Sequence, residues 1–458
     1  MDIKIYNTLT QKKELLIPLT PGVIKLYVCG ITVYDLCHIG HARSMVAFDM
    51  VVRYLRWLGY RVIYVRNITD VDDKIIRRAN ELGEDSTALS ERFIDVMHQD
   101  EKALDLLSPD IEPRATEYMT EIVAMIEQLI TKQHAYVADN GDVCFEVRHF
   151  PEYGKLSNRN IDELRVGERV VINEGKRDPL DFVLWKLSKP GEPHWSSPWG
   201  EGRPGWHIEC SAMSTKCLGN HFDIHGGGMD LKFPHHENEI AQSEAATGEH
   251  FANIWMHAGL LQINGEKMSK SLGNFFTIQD VLSQHSSEVL RFFMLSSQYR
   301  KPLNYSEMML AQAHSALETL YIALRGLDAT GATYHEGYIA RFTEVMNDDF
   351  NTPEALAVLF ELAREINIEK AVDYSDSAEI LAATLRYLAN SLGLLMSSAE
   401  TFLQGHGADA ALIENLLQKR EEARAAKNWN ESDRIRDELQ VMGVVIEDSI
   451  QGTRWRRK

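Results

Sequence analysis

Residues 26–43 have the sequence LYVCGITVYDLCHIGHAR, which carries the clearest fold signal in the chain. A short apolar run ends at Cys29 and Gly30, and a loop then leads to the tetrapeptide HIGH at 38–41, where an apolar-periodic segment begins. This order predicts a strand, a turn and the start of a helix. Such a junction binds phosphate in parallel α/β sheets, and the two histidines add hydrogen-bond donors beside a glycine that a ligand can approach closely. The alternative is an ordinary turn with two surface histidines.

Strand and helix patterns alternate on both sides of this stretch. The segments 24–29 and 62–66 are typical of strands, and 42–58 and 71–82 are typical of amphipathic helices. Strand, helix, strand begins a parallel α/β sheet. Later segments are predicted as strands at 206–210, 222–225 and 254–263, a hairpin turn at 139–141, an irregular insertion at 151–202, and helices at 87–106, 114–133, 306–326, 353–369 and 378–395.

Composition restricts the possible classes of protein. The chain lacks a basic start followed by an apolar run, and no apolar stretch is long enough to span a bilayer, so we expect a cytoplasmic protein with no membrane partner. Five cysteines in 458 residues do not suggest a disulfide framework. A net charge of −19 argues against indiscriminate nucleic-acid binding but allows a local basic surface.

Four scattered residues suggest a metal site. His235 and Glu239 lie four apart on a predicted helix and so share one face. Cys29 and Cys210 are each expected near the carboxyl end of a strand in the same sheet. These side chains form a Cys₂-His-Glu set that suits tetrahedral zinc, although His236 is an equally possible ligand by geometry. The alternative is a pair of buried cysteines and a solvated helix start.

A second loop supplies positive charge. Residues 265–274 have the sequence GEKMSKSLGN, in which Lys267 and Lys270 are suitable counter-charges for a polyphosphate. A lone pair of lysines at this spacing is usually part of a solvated loop. Together with HIGH at 38–41, however, the segment KMSKS at 267–271 strongly resembles the paired signatures of class I aminoacyl-tRNA synthetases.

Within that class the chain most closely resembles the cysteinyl-tRNA synthetase family. The likeness covers essentially the whole chain and is carried by 27–41, 65–74, 205–213, 221–242 and the lysine loop. Pattern and resemblance together predict an α/β fold with a Rossmann-type parallel-sheet catalytic domain, an inserted connective domain, a helical bundle and a small mixed α/β C-terminal module. The expected boundaries are 1–110 and 205–290 for the two catalytic halves, 111–204 for the insertion, 291–404 for a tRNA-binding bundle and 405–458 for an anticodon-binding module.

The resemblance implies a reaction and residues that perform it. ATP activates L-cysteine to cysteinyl-adenylate, and the cysteinyl group passes to the terminal adenosine of tRNA(Cys); Mg²⁺ accompanies ATP. The implied zinc ligands are Cys29, Cys210, His235 and Glu239, which favours His235 over His236. The implied catalytic residues are His38, His41, Lys267 and Lys270, with Gly40, His38, His41 and Lys270 binding ATP.

Thr69, Trp206, His225 and Asp230 match family positions around the amino acid. Asp230 is expected to bind the ammonium group of the amino acid, and Trp206 to form one wall of its pocket. His225 is expected to donate a hydrogen bond to the substrate. Zinc itself would select cysteine over serine, because a thiolate is a far better zinc ligand than a neutral hydroxyl. Glu239 is the ligand expected to loosen.

The C-terminal module is expected to bind the anticodon. Residues 405–458 contain ten basic and ten acidic side chains, so this end is neutral in an acidic chain. Trp429 is expected to stack on a base, Arg424 to contact phosphate or base, and Asp433 and Asp448 to accept from base edges. The alternative is a packed tryptophan among surface ion pairs. We also expect a monomer.

Two other functions fit parts of the pattern. A ligase that transfers activated cysteine to an amino sugar resembles the catalytic half, but such enzymes lack the terminal module. A catalytically silent RNA-binding or zinc protein is disfavoured because both signatures are intact.

Overall fold

The computed structural model describes residues 2–160, 175–263, 265–267, 274–330, 333–372, 376–405, 409–449 and 452–457. The chain divides into two units. The N-terminal unit comprises Met1–Leu310 and Thr343–Glu354, and the C-terminal unit comprises Ala311–Phe342 and Ala355–Lys458. Within the described ranges, no helix is long and apolar enough to cross a membrane.

The N-terminal unit combines parallel and antiparallel sheets with helices. Its strands are β1 (Lys4–Asn7), β2 (Lys12–Leu15), β3 (Val23–Val28), β4 (Arg61–Arg66), β5 (Ala135–Val137), β6 (Val143–Phe145), β7 (Phe182–Leu187), β8 (Gly202–Pro204), β9 (Phe222–Gly228), β10 (Ala252–Ala258), β11 (Leu261–Ile263), β12 (Glu266–Lys267) and β13 (Leu303–Tyr305). Its helices are α1 (Ile39–Trp57), α2 (Asp73–Leu82), α3 (Ser86–Ala103), α4 (Met119–Thr131), α5 (Trp206–Leu218), α6 (His235–Thr247), α7 (Ile278–Leu282) and α8 (Ser287–Leu295).

The central sheet is parallel, with the strand order β10-β9-β3-β4. Tyr27 of β3 lies opposite Val65 of β4 on one side and His225 of β9 on the other, so the carboxyl ends of these strands meet at one edge. The strands are mostly buried apolar runs, as expected in a parallel sheet covered by helices. The predicted α/β class is therefore confirmed.

The inserted segment contains an antiparallel sheet with the order β5-β6-β7-β8. The predicted hairpin turn at 139–141 is confirmed, because it joins β5 to β6 and Gly141 has a φ of +87°, which glycine adopts readily. The prediction that 151–202 is irregular is wrong in part, since β7 lies within it and pairs with β6 and β8. A short apolar run of this kind carries a weak strand signal.

The strand predicted at 206–210 is wrong, because these residues form the first turns of helix α5. A five-residue alternation of apolar and polar residues fits the start of a helix as well as a strand. The helix continues to Leu218, and the hydroxyl of Ser214 donates to the carbonyl oxygen of Cys210 at 2.7 Å. Cys210 therefore comes from a helix and not from a strand end.

Helices dominate the rest of the chain, as predicted. They are α9 (Glu307–Leu324), α10 (Glu336–Asn347), α11 (Thr352–Val372), α12 (Asp376–Asn390), α13 (Ala399–Gln404), α14 (Ala410–Ala425) and α15 (Trp429–Val441), followed by the antiparallel strands β14 (Val444–Ser449) and β15 (Gly452–Arg457). Ile435 and Trp455 belong to a small core that α14, α15 and the hairpin share. The mixed C-terminal module is confirmed. The five predicted segments divide the chain more finely than the two units do, so their boundaries stay predictions.

Candidate active site and metal centre

A cavity of about 340 Å³ opens at the carboxyl edge of the central sheet. Its walls include the turn after β3, the first turn of α1 and the segments that follow β9 and β10. Ligands of parallel α/β sheets bind at this edge, which makes the cavity the candidate active site. Residues from these segments that line it include Cys29, Gly30, His38, Gly40, His41, Gly228, Asp230, Ala258 and Gly259.

The turn after β3 places Cys29 at the sheet edge. The backbone N–H of Cys29 donates to the carbonyl oxygen of Gly226 in β9 at 2.9 Å, which extends the strand pairing by one residue. The N–H of Gly30 donates to the side chain of Asn67 at 2.9 Å. A Cβ atom at Gly30 would lie 1.7 Å from the carbonyl oxygen of Asn67, so only glycine permits this close approach.

The two histidines of the first signature cap helix α1. The N–H of His41 donates to Nδ1 of His38 at 3.2 Å, and the N–H of His38 donates to Nδ1 of His41 at 3.3 Å. Because each Nδ1 accepts a hydrogen bond, the proton of each neutral ring is assigned to Nε2. The rings stack with their centroids 3.6 Å apart. This reciprocal capping begins the helix at Ile39, earlier than the residue predicted from apolar periodicity.

His41 is held in its neutral form. Burial lowers its pKa to about 3, and the nearby His38 and Lys74 act in the same direction. A neutral ring with its proton on Nε2 can donate a hydrogen bond at pH 7. It is therefore suited to contact an anionic ligand in the cavity without becoming charged itself.

The structure brings together the four predicted metal ligands. Side-chain donor atoms of Cys29, Cys210, His235 and Glu239 all lie within 4.8 Å of one another, and all four residues are buried. Sγ of Cys29 lies 3.2 Å from Oε1 of Glu239 and 3.7 Å from Nε2 of His235. Two sulfurs, one imidazole nitrogen and one carboxylate oxygen buried this closely form a donor set compatible with a metal ion.

The electrostatics of the four groups are strongly coupled. A hydrogen bond from Cys29 lowers the pKa of the Cys210 thiol to about 6, whereas burial raises the pKa of Cys29. Burial alone would raise the pKa of Glu239, but His225 and His235 keep that pKa well below its usual range. The cluster thus favours an anionic sulfur at Cys210 and an anionic carboxylate at Glu239, which are the forms that ligate metals.

A second donor set overlaps the first. Cys29, His225, His236 and Glu239 also have donor atoms within 4.8 Å of one another. Nδ1 of His236 lies 2.9 Å from Nε2 of His257, and among the described residues its Nε2 has no hydrogen-bond partner. The donor set that contains His235 includes both Cys29 and Cys210, whereas the set that contains His236 includes Cys29 as its only cysteine.

Sequence reasoning missed the residues that support the ligands. Nδ1 of His207 lies 2.9 Å from Nδ1 of His235. The hydroxyl of Tyr27 is buried near the sulfurs, and a hydrogen bond with Cys210 is among the causes that raise its pKa. Its position on β3 directly beside the Cys29 turn was the available signal.

The four predicted amino-acid contacts occupy different places. Trp206 and Asp230 line the cavity, and the Trp206 ring stacks on His235 with centroids 4.2 Å apart. His225 and Thr69 are fully buried and are not among the lining residues. Nε2 of His225 instead lies 2.8 Å from Oε2 of Glu239.

The second signature is described only in part. Glu266 and Lys267 form β12, which pairs with β11, but the side chain of Lys267 is not described. Lys270 lies outside the described residues.

The predicted anticodon contacts share one region of the C-terminal unit. Trp429 begins α15 and is 58% exposed, so the interpretation of a packed tryptophan is wrong for this residue. Both carboxylate oxygens of Asp448 accept hydrogen bonds of 2.7 Å from Arg420, and Arg424 lies 2.8 Å from the same carboxylate. Asp433 pairs with Arg436 at 3.3 Å.

Three family models match successive parts of the chain. Residues 15–315 match the class I (C) tRNA synthetase catalytic domain, 341–396 match the DALR domain, and 410–456 match the cysteinyl-tRNA ligase anticodon-binding domain.

Relatives and solved structures agree with these matches. The chain is 62% identical to a cysteine–tRNA ligase of Methylococcus capsulatus and 60% identical to one of Alkalilimnicola ehrlichii, in both cases over 100% of each chain. A methionyl-tRNA synthetase of Mycobacterium tuberculosis bound by methionyl-adenylate superposes with a TM-score of 0.60 at 14% identity, over 84% of this chain and 95% of that one. At this identity the superposition shows a shared fold.

Proposed function

The chain belongs to the cysteinyl-tRNA synthetase family, and we propose that it activates L-cysteine with ATP and transfers the cysteinyl group to tRNA(Cys). The observation that carries the proposal is the meeting of two sites at one cavity. Cys29 of the buried donor cluster and both signature histidines line the same walls. An amino acid held at the cluster would therefore have its carboxylate beside a phosphate held at the start of α1.

We propose that the metal is zinc, held by Cys29, Cys210, His235 and Glu239. Zinc bound there supplies a site that prefers a thiolate to the neutral hydroxyl of serine, which pocket shape alone discriminates poorly. The surrounding side chains orient the ligands: His207 contacts His235, and His225 contacts Glu239. His225 therefore acts through Glu239 in this proposal, whereas Trp206 and Asp230 contact the amino acid and Thr69 supports the pocket.

For ATP, we propose that Nε2–H of His38 and of His41 donate to phosphate oxygens at the N-terminus of α1. Gly40 leaves room for the triphosphate beside them. Lys267 and Lys270, assigned from the resemblance, would neutralise the phosphates from the other side, with Mg²⁺ accompanying ATP. Cysteine carboxylate attacks the α-phosphorus, and pyrophosphate leaves.

For tRNA, we propose that the exposed ring of Trp429 stacks on an anticodon base and that Arg424, Asp433 and Asp448 complete the contact. The bidentate pair between Arg420 and Asp448 supports this by fixing the carboxylate in place. Because tRNA is a polyanion, we expect its binding to weaken as salt rises. The monomeric state and the cytoplasmic location stay predictions.

The test combines two assays on the purified protein. We expect cysteine-dependent exchange of pyrophosphate into ATP, and transfer of labelled cysteine to purified tRNA(Cys). Exchange without transfer to tRNA would favour the amino-sugar ligase. Background exchange with intact RNA binding would indicate a silent RNA-binding protein. Metal analysis of the same preparation checks for one zinc ion per chain.

A further inference from the structure

Lys74 is a cation at the cavity to which the proposed function gives no role. It is the second residue of α2, its side chain lines the cavity, and it is exposed. Its Nζ atom lies 5.7 Å from the ring centroid of Tyr34 and 5.7 Å from that of Trp206. Both aromatic residues are only partly buried, and a cation 5.7 Å from such rings is held weakly, so Lys74 can exchange these contacts for an anion.

The acidic side chains beside Lys74 accept hydrogen bonds or form ion pairs with groups other than its Nζ atom. Asp73 is paired with Lys186 at 2.7 Å and with Arg203 at 2.6 Å. Asp72 accepts the backbone N–H of Lys74 itself at 2.7 Å. Asp70 accepts from the hydroxyl of Thr116 at 2.6 Å.

Among the described residues, none forms an ion pair with the Lys74 ammonium group. The positive charge is therefore available to a ligand in the cavity. Because Asp73 forms ion pairs with Lys186 and Arg203 of the inserted sheet, it does not compete for the Lys74 ammonium group.

Lys74 lies between the two halves of the site. On one side, Trp206 connects it to His235 of the metal cluster. On the other side, its charge acts on His41 of the first signature. In the proposed function, this is the region where the carboxylate of an amino acid at the cluster would meet the α-phosphate of ATP.

We propose that Lys74 is a further catalytic residue, whose ammonium contacts the oxygens of the carboxylate and α-phosphate as cysteinyl-adenylate forms. The inference rests on the proposed function. A carboxylate oxygen forms a bond to the α-phosphorus, and the bond from that phosphorus to the bridging oxygen of pyrophosphate breaks. The bridging oxygen leaves with the electron pair. Lys74 stays protonated and stabilises the negative charge on the oxygens around phosphorus.

Two variants and one control test this role. Lys74→Met keeps the aliphatic stem and removes the charge, and Lys74→Arg keeps the charge. Arg77→Met removes an exposed charge from the same helix. We expect Lys74→Met to lower the kcat of cysteine-dependent exchange by about 10²-fold, as loss of a transition-state donor does. Lys74→Arg should lose far less, and Arg77→Met should match the original chain.

Binding and metal content separate this role from a structural one. Zinc per chain and the circular dichroism spectrum should be the same in all variants. Affinity for a non-hydrolysable cysteinyl-adenylate analogue should fall in Lys74→Met, whereas affinity for adenosine should not. If Lys74→Met misfolds, the exchange rate and analogue affinity of Lys74→Arg and of Lys74→Gln give the same comparison.

Several outcomes would overturn the inference. Normal pyrophosphate exchange in Lys74→Met would overturn it. If exchange is normal but transfer of cysteine to tRNA is slow, Lys74 acts in the transfer step instead. An equal loss in Arg77→Met would attribute the effect to the helix. If the original chain shows no exchange, the proposed function itself fails, which is a distinct result.

Discussion

The metal cluster and the Trp429 region are built in opposite ways. The cluster is buried and joins residues distant in sequence, such as Cys29 and Glu239, and a further side chain such as His225 contacts its ligands. The Trp429 region is exposed, and its ion pairs are partly local, as between Asp433 and Arg436. Rigid, desolvated groups suit discrimination between nearly isosteric amino acids. Exposed aromatic and charged groups suit a large polyanion whose binding depends on salt.

This difference has an energetic consequence. A buried polar group that loses its partner costs its full desolvation penalty, whereas an exposed ion pair contributes little. Substitutions in the cluster should therefore have larger effects than substitutions around Trp429, and they should affect different substrates.

The largest effect is expected for Cys210→Ser. Loss of one sulfur donor should weaken cysteine binding by about 10³-fold, or about 4 kcal/mol, and leave ATP binding unchanged. Calorimetry with each substrate and metal analysis measure this. Cys217→Ser is the matched control, since Cys217 lies on the same helix but outside the cluster. Equal loss of cysteine and ATP binding would contradict a role in selecting the amino acid.

An intermediate effect is expected for Trp429→Ala. Removal of the exposed ring should raise the KM for tRNA by about tenfold, the usual cost of a lost base stack, without changing cysteine-dependent exchange. Val441→Ala, at an exposed position on the same helix, should leave tRNA kinetics unchanged. Normal tRNA kinetics in Trp429→Ala would remove this residue from the anticodon contact.

The two regions also differ in what the sequence could predict. Cys29 follows from the end of an apolar run, and His235 and Glu239 follow from their spacing on a helix. Cys210 was expected on a strand, because the alternation of residues 206–210 fits a strand as well as the start of a helix. In the structure a longer helix forms instead, stabilised by packing against α6 and by the Ser214 hydrogen bond.

The supporting hydrogen bonds could not be read from the sequence at all. His257 contacts His236 on one side and Thr8 on the other, and the latter pair is 249 residues apart. No local periodicity specifies such a contact, because it depends on how β10 pairs with β9 and where α6 packs. The sequence also could not predict that Trp429 is exposed. Trp455 of the same module is buried, so the residue type alone does not distinguish the two positions.

A further effect concerns pH and the neutral His41 of the cavity. The pKa of His41 is about 3 in the folded chain because of burial, and about 6.5 when unfolded. The unfolded chain therefore binds the extra proton between these values, and stability falls as pH drops below 6.5. His41→Asn should reduce the slope of the free energy of unfolding between pH 4 and 6 by about 1.4 kcal/mol per pH unit. Urea titrations at several pH values test this, with the exposed His194→Asn as the control.

The last prediction concerns how completely the buried cluster is supported. Burial and the nearby Cys210, Cys29 and Glu239 raise the pKa of Tyr27, so its hydroxyl stays protonated. With no other partner among the described residues, this O–H is a donor available to a ligating sulfur. Tyr27→Phe keeps the ring and should weaken metal affinity by about tenfold, measured by competition with a chelator. Tyr118→Phe, which removes a hydroxyl 3.5 Å from Cys217, should not change it. An unchanged affinity in Tyr27→Phe would mean that the imidazole contacts alone orient the ligands, and the contrast with the exposed C-terminal region would then rest on burial rather than on hydrogen bonding to sulfur.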